Sequence, residues 1–274
     1  MKKKIKIAAV GDNCIDLYDS TGEIYPGGNP VNVAVYVKRM KGDSSYTGVV
    51  GSDYYGKFMI DAISKKGVDT SHIKVLDGKT AVTHVKIKDG DRILGEYEEG
   101  VMKDFKLTDE DIDFLCSHDL VITGIWGMVE SELHKIKERD VPVAFDFADN
   151  PDEGILNKAL PYVDYAFFSN DESDDEELYQ FMKNIKSKGP SIVVVTRGDK
   201  GSLAYDGKEF TSHGISDCEV VDSMGAGDSY IAGFLMGILE GKSIKESMEK
   251  GAENSSITLG YYGAWWTQGE DSGI

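Results

Sequence analysis

A short glycine-rich segment followed by a carboxylate is the part of the sequence best suited to chemistry. It reads Gly225-Ala226-Gly227-Asp228 and leads into an apolar run, Ile231 to Leu239, that is typical of a helix. Small residues leave successive backbone N–H groups uncovered, and the first N–H groups of a helix have no partner within it. Together with the positive end of the helix dipole, they predict an anion site that could hold a phosphoryl group during its transfer.

Asp228 stands directly beside this predicted anion site. A carboxylate is a poor ligand for phosphate because like charges repel, but it is well placed to accept the proton of an attacking hydroxyl. The spacing therefore predicts that Asp228 is the general base of a phosphoryl transfer. From the local pattern alone, the alternative is that Asp228 caps the helix, as short acidic side chains often do.

Alternating strands and helices must position this segment. Short apolar runs recur between helical stretches, which is typical of a mostly parallel sheet covered on both faces. The predicted strands are Ile5 to Val10, Tyr46 to Val50, Leu120 to Thr123, Val141 to Phe147, Tyr165 to Ser169 and Ile192 to Thr196. The predicted helices lie near 31–40, 54–65, 109–116, 174–187 and 226–239. A hairpin is expected over 202–211, with its turn at Asp206-Gly207.

Two helix starts can be recognised from residue types. Asn29 before Pro30 predicts an N-cap followed by a preset first turn. Thr108 with Asp111 resembles a capping box, in which each side chain bonds to the backbone of the other residue. In either kind of cap, the side chain would form a hydrogen bond with the backbone.

Two segments depart from the alternation of strands and helices and are typical of antiparallel ribbons. Val82 to Lys88 and Arg92 to Tyr97 flank Asp89-Gly90, a turn sequence that tolerates positive φ angles. Leu17 to Tyr25, interrupted at 20–22, predicts a second hairpin. The ribbons, approximately 17–25 and 80–100, predict a small sheet that closes over a cleft as a lid. The same pattern would also suit two surface ribbons without that role.

Composition and charge limit the classes of function. Of the 274 residues, 41% are hydrophobic and 28% are charged, which is typical of a globular protein. A formal net charge of -18 disfavours nucleic acid and anionic membranes as partners. The three cysteines form no CxxC pair, which predicts reduced thiols in a cytoplasmic protein. The sequence has no apolar run of the roughly 18 residues needed to cross a membrane.

The sequence resembles the PfkB-type, or ribokinase-like, carbohydrate kinases along nearly its whole length. The second family signature matches Asp222 to Tyr230 and the first matches Gly27 to Ala34. Further family motifs are Gly11 to Asp16, Val50 to Gly56, Thr196 to Gly201 and Gly263-Ala264. The resemblance implies an α/β fold: a ribokinase-like three-layer sandwich around a mostly parallel sheet, with a small β-ribbon lid. It implies one kinase domain over 1–266 and a flexible tail over 267–274.

The resemblance assigns roles that agree with the chemistry above. The base and the anion hole fall on Asp228 and on Gly225, Ala226 and Gly227. The loop that approaches the nucleotide is implied at Thr196, Gly198 and Gly201. The positions that hold sugar hydroxyls are implied at Asp16, Gly28 and Asn32. Short carboxylate and amide groups suit that task because they accept and donate hydrogen bonds.

The resemblance also implies ATP and Mg²⁺ as cofactors and, in many members, K⁺. Asp222, with carbonyls near Gly263, resembles a monovalent cation site. The family's Asn-x-x-Glu motif, which helps to place Mg²⁺ through water, is altered because no glutamate stands three residues after Asn170. Glu172 stands three residues after Ser169, so Glu172 could keep the metal role with Ser169 in place of the asparagine. Alternatively, the acidic residues of this run form a solvated helix start.

Within the family, the sequence is similar to the kinases that phosphorylate fructoselysine, an Amadori sugar-amine, at its 6-hydroxyl. The similar segments are Gly11 to Asp16, Asn32 to Tyr36, Asp91-Arg92, Gly95 to Met102, Ile125 to Gly127 and Tyr261 to Trp265. An ammonium-bearing substrate would favour a pocket edged by acids. The candidate acids are Asp12, Glu96, Glu98 and Glu99. Tyr97 or Trp126 could supply an apolar or cation–π wall for the lysine stem.

Other functions are compatible with parts of the sequence. A fructokinase or another ketose or riboside kinase would carry the same two signatures. A non-catalytic sugar-binding sensor would be expected to lose the base or the anion hole, and both remain. A dinucleotide-binding domain needs Gly-x-Gly-x-x-Gly after the first strand, where residues 11–16 contain one glycine and two carboxylates. The family resemblance also implies a homodimer formed through the lid.

Overall fold

The structure, a computed structural model, describes residues 4–88, 91–149, 151–171 and 175–265. The strands in these ranges are β1 (Lys6–Val10), β2 (Cys14–Tyr18), β3 (Ile24–Gly27), β4 (Asp43–Gly51), β5 (Asp69–Leu76), β6 (Val82–Lys88), β7 (Asp91–Glu98), β8 (Leu120–Gly124), β9 (Val143–Asp146), β10 (Tyr165–Ser169), β11 (Ile192–Thr196), β12 (Ser202–Tyr205) and β13 (Phe210–His213). The α-helices are α1 (Asn29–Arg39), α2 (Tyr54–Lys65), α3 (Asp109–Leu115), α4 (Leu133–Lys137), α5 (Glu153–Ala159), α6 (Asp175–Ser187), α7 (Ala226–Leu239) and α8 (Ile244–Leu259). Short 3-10 helices cover Gly100–Asp104, Leu160–Tyr162 and Gly198–Lys200.

A large sheet runs through the protein in the order β13-β12-β11-β10-β9-β8-β1-β4-β5. The strands from β11 to β5 pair in parallel, and β12 and β13 extend one edge with antiparallel pairing. Alternate residues of β1 point to opposite faces, so Ile7 and Ala9 join one core while Ala8 and Val10 join the other. The first core packs against α1, α2, α7 and α8, and the second against α3 to α6. The predicted three-layer α/β sandwich is confirmed.

A second sheet has the order β3-β2-β6-β7. β2 pairs with β3, and β6 with β7, in antiparallel fashion, while β2 and β6 are parallel. Both predicted ribbons are therefore present as strands, but the first begins at Cys14 instead of Leu17 because Cys14 already pairs with Gly27. This earlier start places Asp16 inside a strand. The predicted turn at Asp89-Gly90 and the predicted tail at 267–274 lie outside the described residues.

The helix starts differ in how well the residue types predicted them. The Thr108 capping box is confirmed, because its hydroxyl accepts from the Asp111 N–H and the Asp111 carboxylate accepts from the Thr108 N–H. The prediction that Asn29 caps α1 is wrong. The N-cap residue of α1 is Gly28, and the Asn29 side chain bonds to other side chains. Pro30 does lie in the first turn of α1, as expected.

The structure adds elements that the sequence patterns did not predict, namely β5, α4, α5 and α8. Helix α8 has 16 residues and begins with a capping box formed by Ser243 and Glu246. It packs along α7, which starts with the glycine-rich segment. Among the helices of the described ranges, none combines the length and the apolarity that a bilayer crossing requires.

Candidate active site

A cavity of about 890 Å³ lies where the parallel strands end and the second sheet faces them. Asp12 follows β1, Asp146 ends β9 and Thr196 ends β11, and all three line this cavity. Gly95 and Tyr97 of β7 line it from the second sheet. Ligands of open α/β sheets bind at the carboxyl ends of the strands, so this cavity is the candidate active site.

Asp228 lies in the first turn of α7, and it lines the cavity. Its Oδ1 accepts a hydrogen bond of 2.6 Å from Asn29 Nδ2, and its Oδ2 accepts one of 2.7 Å from Asn32 Nδ2. The carboxylate is thus bound to two side-chain amides and not to the helix backbone, so Asp228 is not a helix cap. The helix instead starts after Gly225, whose φ of 73° is the left-handed conformation that glycine adopts readily.

Each of these two asparagine side chains makes a second hydrogen bond to a further residue. Asn29 Nδ2 also donates to Asp146 Oδ2 at 2.7 Å. Asn32 Oδ1 accepts from the Trp265 indole N–H, also at 2.7 Å. We call the chain Asp228–Asn29–Asp146 the acid arm and the chain Asp228–Asn32–Trp265 the indole arm. Both arms hold the same carboxylate, one on each oxygen.

The protein raises the proton affinity of three carboxyl groups around this point. Burial raises the pKa of Asp228 to about 6, although the bonds from Asn32 and Asn29 act against it. Burial, and then the charge of Asp228, raise the pKa of Asp146 to about 7. Burial likewise raises the pKa of Asp12 to about 6. A carboxyl group with a pKa near 6 is ionised at neutral pH yet binds a proton readily, as a general base must.

Backbone amides at the start of α7 face the cavity beside Asp228. Gly227 and Asp228 line the cavity, and a Cβ added to Gly227 would meet no atom within 4 Å. Within the described chain, the N–H groups of these two residues have no hydrogen-bond acceptor, as expected for the first turn of a helix. The Ala226 N–H donates to the Ser223 carbonyl at 3.2 Å. Among the residues of this segment that line the cavity, the uncovered donors are therefore at 227 and 228, and the predicted anion hole stays a prediction.

The predicted sugar-binding residues come together around the same cavity. The lining includes Asp12, Asp16, Gly28, Asn32, Tyr97 and Trp126. The side chains of Tyr97 and Trp126 remain 49% and 55% exposed, so each offers an aromatic face to a ligand. A Cβ on Gly28 would lie 2.7 Å from the Asn13 Cα, and the φ of Gly28 is 116°, so glycine is required there.

The acids proposed to edge the pocket separate into two groups. Asp12 lines the cavity, is only 7% exposed, and its Oδ1 has no hydrogen-bond partner among the described residues. Glu96, Glu98 and Glu99 are absent from the described lining. Glu98 instead bonds to His84 Nε2 at 3.2 Å. Of these candidates, Asp12 is the acid that lines the described cavity.

The predicted nucleotide loop continues from β11. Thr196 lines the cavity, and its hydroxyl lies 3.3 Å from that of Ser169, which ends the neighbouring strand β10. Gly198 and Gly201 begin and follow the 3-10 turn beyond Thr196 and do not belong to the described lining. Their nucleotide contacts stay predictions.

Of the two residues predicted to bind metal ions, Asp222 and Glu172, only Asp222 belongs to the described residues. Asp222 accepts hydrogen bonds from the Met224 N–H at 3.0 Å and from the Gly263 N–H at 2.6 Å, which tie the start of the glycine-rich loop to the segment after α8. Within the described ranges, no group of three or more His, Cys, Asp or Glu side chains is arranged to hold a metal. Glu172 lies outside the described residues, whereas Ser169 lines the cavity.

A second polar network connects helices α1, α7 and α8. The Arg39 guanidinium donates to Ser229 Oγ at 2.8 Å and to Asn254 Oδ1 at 2.7 Å. The Tyr36 hydroxyl donates to the Ala264 carbonyl at 2.5 Å. These contacts join α1 to the first turn of α7, to α8 and to the segment that carries the indole arm.

Sequence reasoning missed the role of three residues in the arms. Asn29 was interpreted as a cap, Asp146 as part of an apolar strand, and Trp265 only as part of a similar segment. A signal for Asp146 did exist, because an acid at the carboxyl end of a buried parallel strand faces the edge where ligands bind.

Comparisons with known proteins agree with the geometry. The pfkB family carbohydrate kinases match residues 4–266. The chain is 40% identical to fructoselysine 6-kinase of Shigella flexneri over 259 residues, which is 94% of this chain and 99% of that protein. It is 33% identical to the fructosamine kinase of Bacillus subtilis (strain 168) over 265 residues, 95% of this chain and 93% of that one. Its fold is similar to ribokinase of Arabidopsis thaliana, solved with ribose and ATP, with a TM-score of 0.86, 22% identity, and coverage of 96% and 94%.

Proposed function

The chain belongs to the pfkB family of carbohydrate kinases, and we propose that it transfers the γ-phosphoryl group of ATP to the 6-hydroxyl of fructoselysine. As a member of that family it is an ATP-dependent kinase that phosphorylates a sugar hydroxyl. The observation that carries the proposal is Asp228, a carboxylate held on both oxygens inside the cavity beside uncovered helix amides.

In this proposal, Asp228 is the general base. The hydroxyl oxygen attacks the γ-phosphorus while its proton passes to the Asp228 carboxylate. The new O–P bond forms as the bond between the γ-phosphorus and the bridging oxygen of ATP breaks, and ADP leaves. The two amides fix the direction in which the carboxylate presents its remaining lone pairs, which favours a productive approach of the hydroxyl.

The start of α7 supplies N–H donors and the positive end of the helix dipole, which can stabilise a transferring phosphoryl group. The backbone amides of 225–228 were predicted as the anion hole, and the uncovered donors at Gly227 and Asp228 support that prediction. Such donors stabilise charge on the transferring group because they are already oriented before the reaction. We therefore assign the phosphoryl group to this helix end.

The sugar-amine would occupy the part of the cavity between the strand ends and the second sheet. We assign Asp16 and Asn32 to its hydroxyls and Tyr97 and Trp126 to its apolar stem, and the presence of all four in the cavity lining supports this assignment. The amine is protonated near neutral pH and brings N–H donors. Asp12 in the cavity lining supports this assignment, because a carboxylate in a partly dry cleft attracts a cationic donor.

The nucleotide is assigned to the side of Thr196, Gly198 and Gly201. Magnesium, when bound with ATP, neutralises phosphate charge. The Ser169 hydroxyl is a hard oxygen donor on that wall, and Glu172 is the residue proposed to reach the metal through water. Since both carboxylate oxygens of Asp222 accept backbone N–H groups, a K⁺ site there would draw mainly on backbone carbonyls, and K⁺ dependence of the rate would test it.

A substrate panel tests the proposed function. ADP release would be measured with fructoselysine, glucoselysine, fructose, ribose and fructose phosphates, with the Asp228→Asn variant as the control for contaminating kinases. We expect the highest kcat/KM for fructoselysine, with phosphate on the 6-hydroxyl of the product. Fructose phosphorylated with at least the same kcat/KM would favour a fructokinase, because the amine would then contribute nothing to recognition.

We also propose that residues 1–266 act as one kinase domain whose second sheet serves as a lid and as the contact of a homodimer. The four-stranded sheet that lines the cavity through Gly95 and Tyr97 supports the lid role. Light scattering of the purified protein tests the dimer, and a monomeric mass at working concentration would reject it.

A further inference from the structure

We propose that Asp146 is a positioning residue for the phosphoryl transfer, acting on the base Asp228 through the side chain of Asn29. The inference deepens the proposed function and rests on Asp228 being the base. It concerns a residue that needs no contact with the substrate or the nucleotide to influence the rate.

The first argument is the way in which the acid arm is bonded. An asparagine side chain offers two N–H donors from one nitrogen. The Asn29 Nδ2 lies 2.6 Å from Asp228 Oδ1 and 2.7 Å from Asp146 Oδ2, so both donors are used on carboxylates. The orientation of the amide plane, and with it the position of Asp228 Oδ1, is therefore set by Asp146.

The second argument is that Asp146 is itself fixed. Its other oxygen, Oδ1, accepts from the Ala148 N–H at 2.9 Å. Ala148 has a φ of 53°, which is uncommon for a residue other than glycine, and its carbonyl accepts from the Ser169 N–H at 2.8 Å. The turn after β9 thus anchors Asp146 to the end of β10, and the acid arm extends into the frame of the large sheet.

The third argument is the charge of Asp146. A neutral amide could accept the bond from Asn29, whereas a carboxylate partly buried near Asp228 adds like-charge repulsion. The charge of Asp228 is the second cause, after burial, of the raised pKa of Asp146, whereas the raised pKa of Asp228 is caused by burial and by the charge of Asp12. Because coupling between two acids is reciprocal, Asp146 raises the pKa of Asp228 only to the extent that Asp146 is charged, and its own pKa of about 7 is the higher of the two.

Other ionisable groups face the same pair and must be separated from the effect of Asp146. Asp12, in the loop after β1, adds to the raised pKa of Asp228, and Asp149, after β9, adds to that of Asp146. On α1, the Tyr36 hydroxyl interacts electrostatically with Asp228 and with the Arg39 cation, and burial keeps its pKa above the ordinary value. Asp12 and Asp149 carry the same charge as Asp146, but Asp12 accepts from the Asn29 backbone N–H at 3.3 Å, so Asp149 is the acid that separates charge from contact with Asn29.

The main test is the pH dependence of kcat/KM between about pH 5 and about pH 9, where the acid limb reports ionisation of the base. In the Asp146→Asn variant we expect the limb to move to lower pH by less than about 0.5 unit, because Asp146 carries only part of its negative charge where Asp228 titrates. We also expect the plateau of kcat to fall by roughly tenfold, because Asn29 and Ala148 donate to different oxygens of Asp146, and an amide has an oxygen at only one of those two positions.

The matched control is Asp149→Asn, which removes the same charge without touching the bond to Asn29. We expect a smaller move of the acid limb, because Asp149 is exposed and its charge is screened by water. An equal move in both variants would overturn the proposal in favour of general electrostatics. An unmoved limb with a kcat within about twofold of the parent in Asp146→Asn would overturn it outright.

A second measurement does not depend on turnover or on the folding of Asp146→Asn. The carboxyl carbons of ¹³C-labelled aspartates would be titrated by NMR in the parent protein and in Asp228→Asn. We expect the aspartate signal with the highest midpoint to titrate at lower pH in the variant, because coupling between the two acids is reciprocal. An unchanged midpoint would overturn the proposal. Retained turnover in Asp228→Asn would instead reject the base assignment, so the two failures are distinguishable.

Discussion

The two arms that hold Asp228 have nearly identical bond lengths but different ends. Each arm begins at one oxygen of the carboxylate and passes through an asparagine of α1. The acid arm then ends on Asp146, which can gain or lose a proton, whereas the indole arm ends on Trp265, which only donates. The comparison indicates that the carboxylate is oriented by both arms and that its basicity is adjusted by one.

The arms also differ in the part of the fold that supports them. Asp146 ends a central strand of the large sheet, so the acid arm is built into the core. Trp265 follows α8 in a segment held by the bond from the Gly263 N–H to Asp222 and by the Tyr36 contact to Ala264. The indole arm therefore depends on a buried segment that follows the last helix, and the acid arm on a strand of the large sheet.

The largest expected effect comes from replacing the residue that the arms share. Asp228→Asn should lower kcat by roughly 10²–10⁴, because the amide cannot take up the hydroxyl proton. The KM for ATP should change little if the nucleotide binds on the Thr196 side. Steady-state kinetics with ADP detection would measure both constants. Near-normal turnover would remove Asp228 from the mechanism and leave the arms without a catalytic purpose.

Removing one arm at a time should cost less. Asn29→Ala and Asn32→Ala should each lower kcat/KM by roughly 10–10², because a freely turning carboxylate spends less time aligned with the hydroxyl. Asn32→Ala should also raise the KM for the sugar, since Asn32 is proposed to bind it. The double variant should lose less than the product of the single losses, because both residues orient one group. Fully multiplicative losses would show that the arms act on different steps.

The end of the indole arm should affect rate without affecting basicity. Trp265→Phe removes the donor to Asn32 and should lower kcat by roughly threefold to tenfold, with the acid limb of the pH profile unmoved. The measurement is the same pH series as for Asp146→Asn. A limb that moves equally in Trp265→Phe would erase the distinction between the arms.

The smallest expected effect is on stability. A carboxyl with a raised pKa in the folded state contributes stability at low pH that is lost as the pH rises through the folded value, about 7 for Asp146. Asp146→Asn should therefore raise the Tm at pH 8 by roughly 2–4 °C relative to the parent, and by less at pH 5. Trp265→Phe should lower the Tm at both pH values. Differential scanning calorimetry would measure both Tm values and show whether the charge of Asp146 lowers the stability at pH 8 as predicted.

The fold and the position of Asp228 at a helix start were predictable because their signals are local. Continuous apolar strands and helix periodicity indicate a parallel sheet, and the small residues before Asp228 mark a helix start that can bind an anion. The arms were not predictable in this way. Asn29 lies 199 positions from Asp228 and 117 from Asp146, so no local pattern shows that it bonds to both. Its neighbour Pro30 made the local interpretation as a cap the natural one.

The alternation of side chains along the strand around Tyr97 could have shown that the neighbouring acids do not all face the same side. Side chains of a strand alternate between its faces, so a residue that faces the cavity excludes its immediate neighbours from it. Gly95 and Tyr97 line the cavity, which directs Glu96 and Glu98 to the other side, where Glu98 contacts His84. In contrast, the partnerless oxygen of Asp12 depends on packing across the sheet and could not be inferred from its sequence neighbours.

Helix α1 carries four of the groups described above, namely Asn29, Asn32, Tyr36 and Arg39. Their spacing of three, four and three places all of them along one side of the helix. An added residue in the middle of α1 would rotate one half against the other by about 100°, so the asparagines and the Tyr36–Arg39 pair could no longer engage together. The length of this helix should therefore be far less tolerant of insertion or deletion than the loops around the cavity, and a ligand that shifts α1 would displace both arms in a single movement.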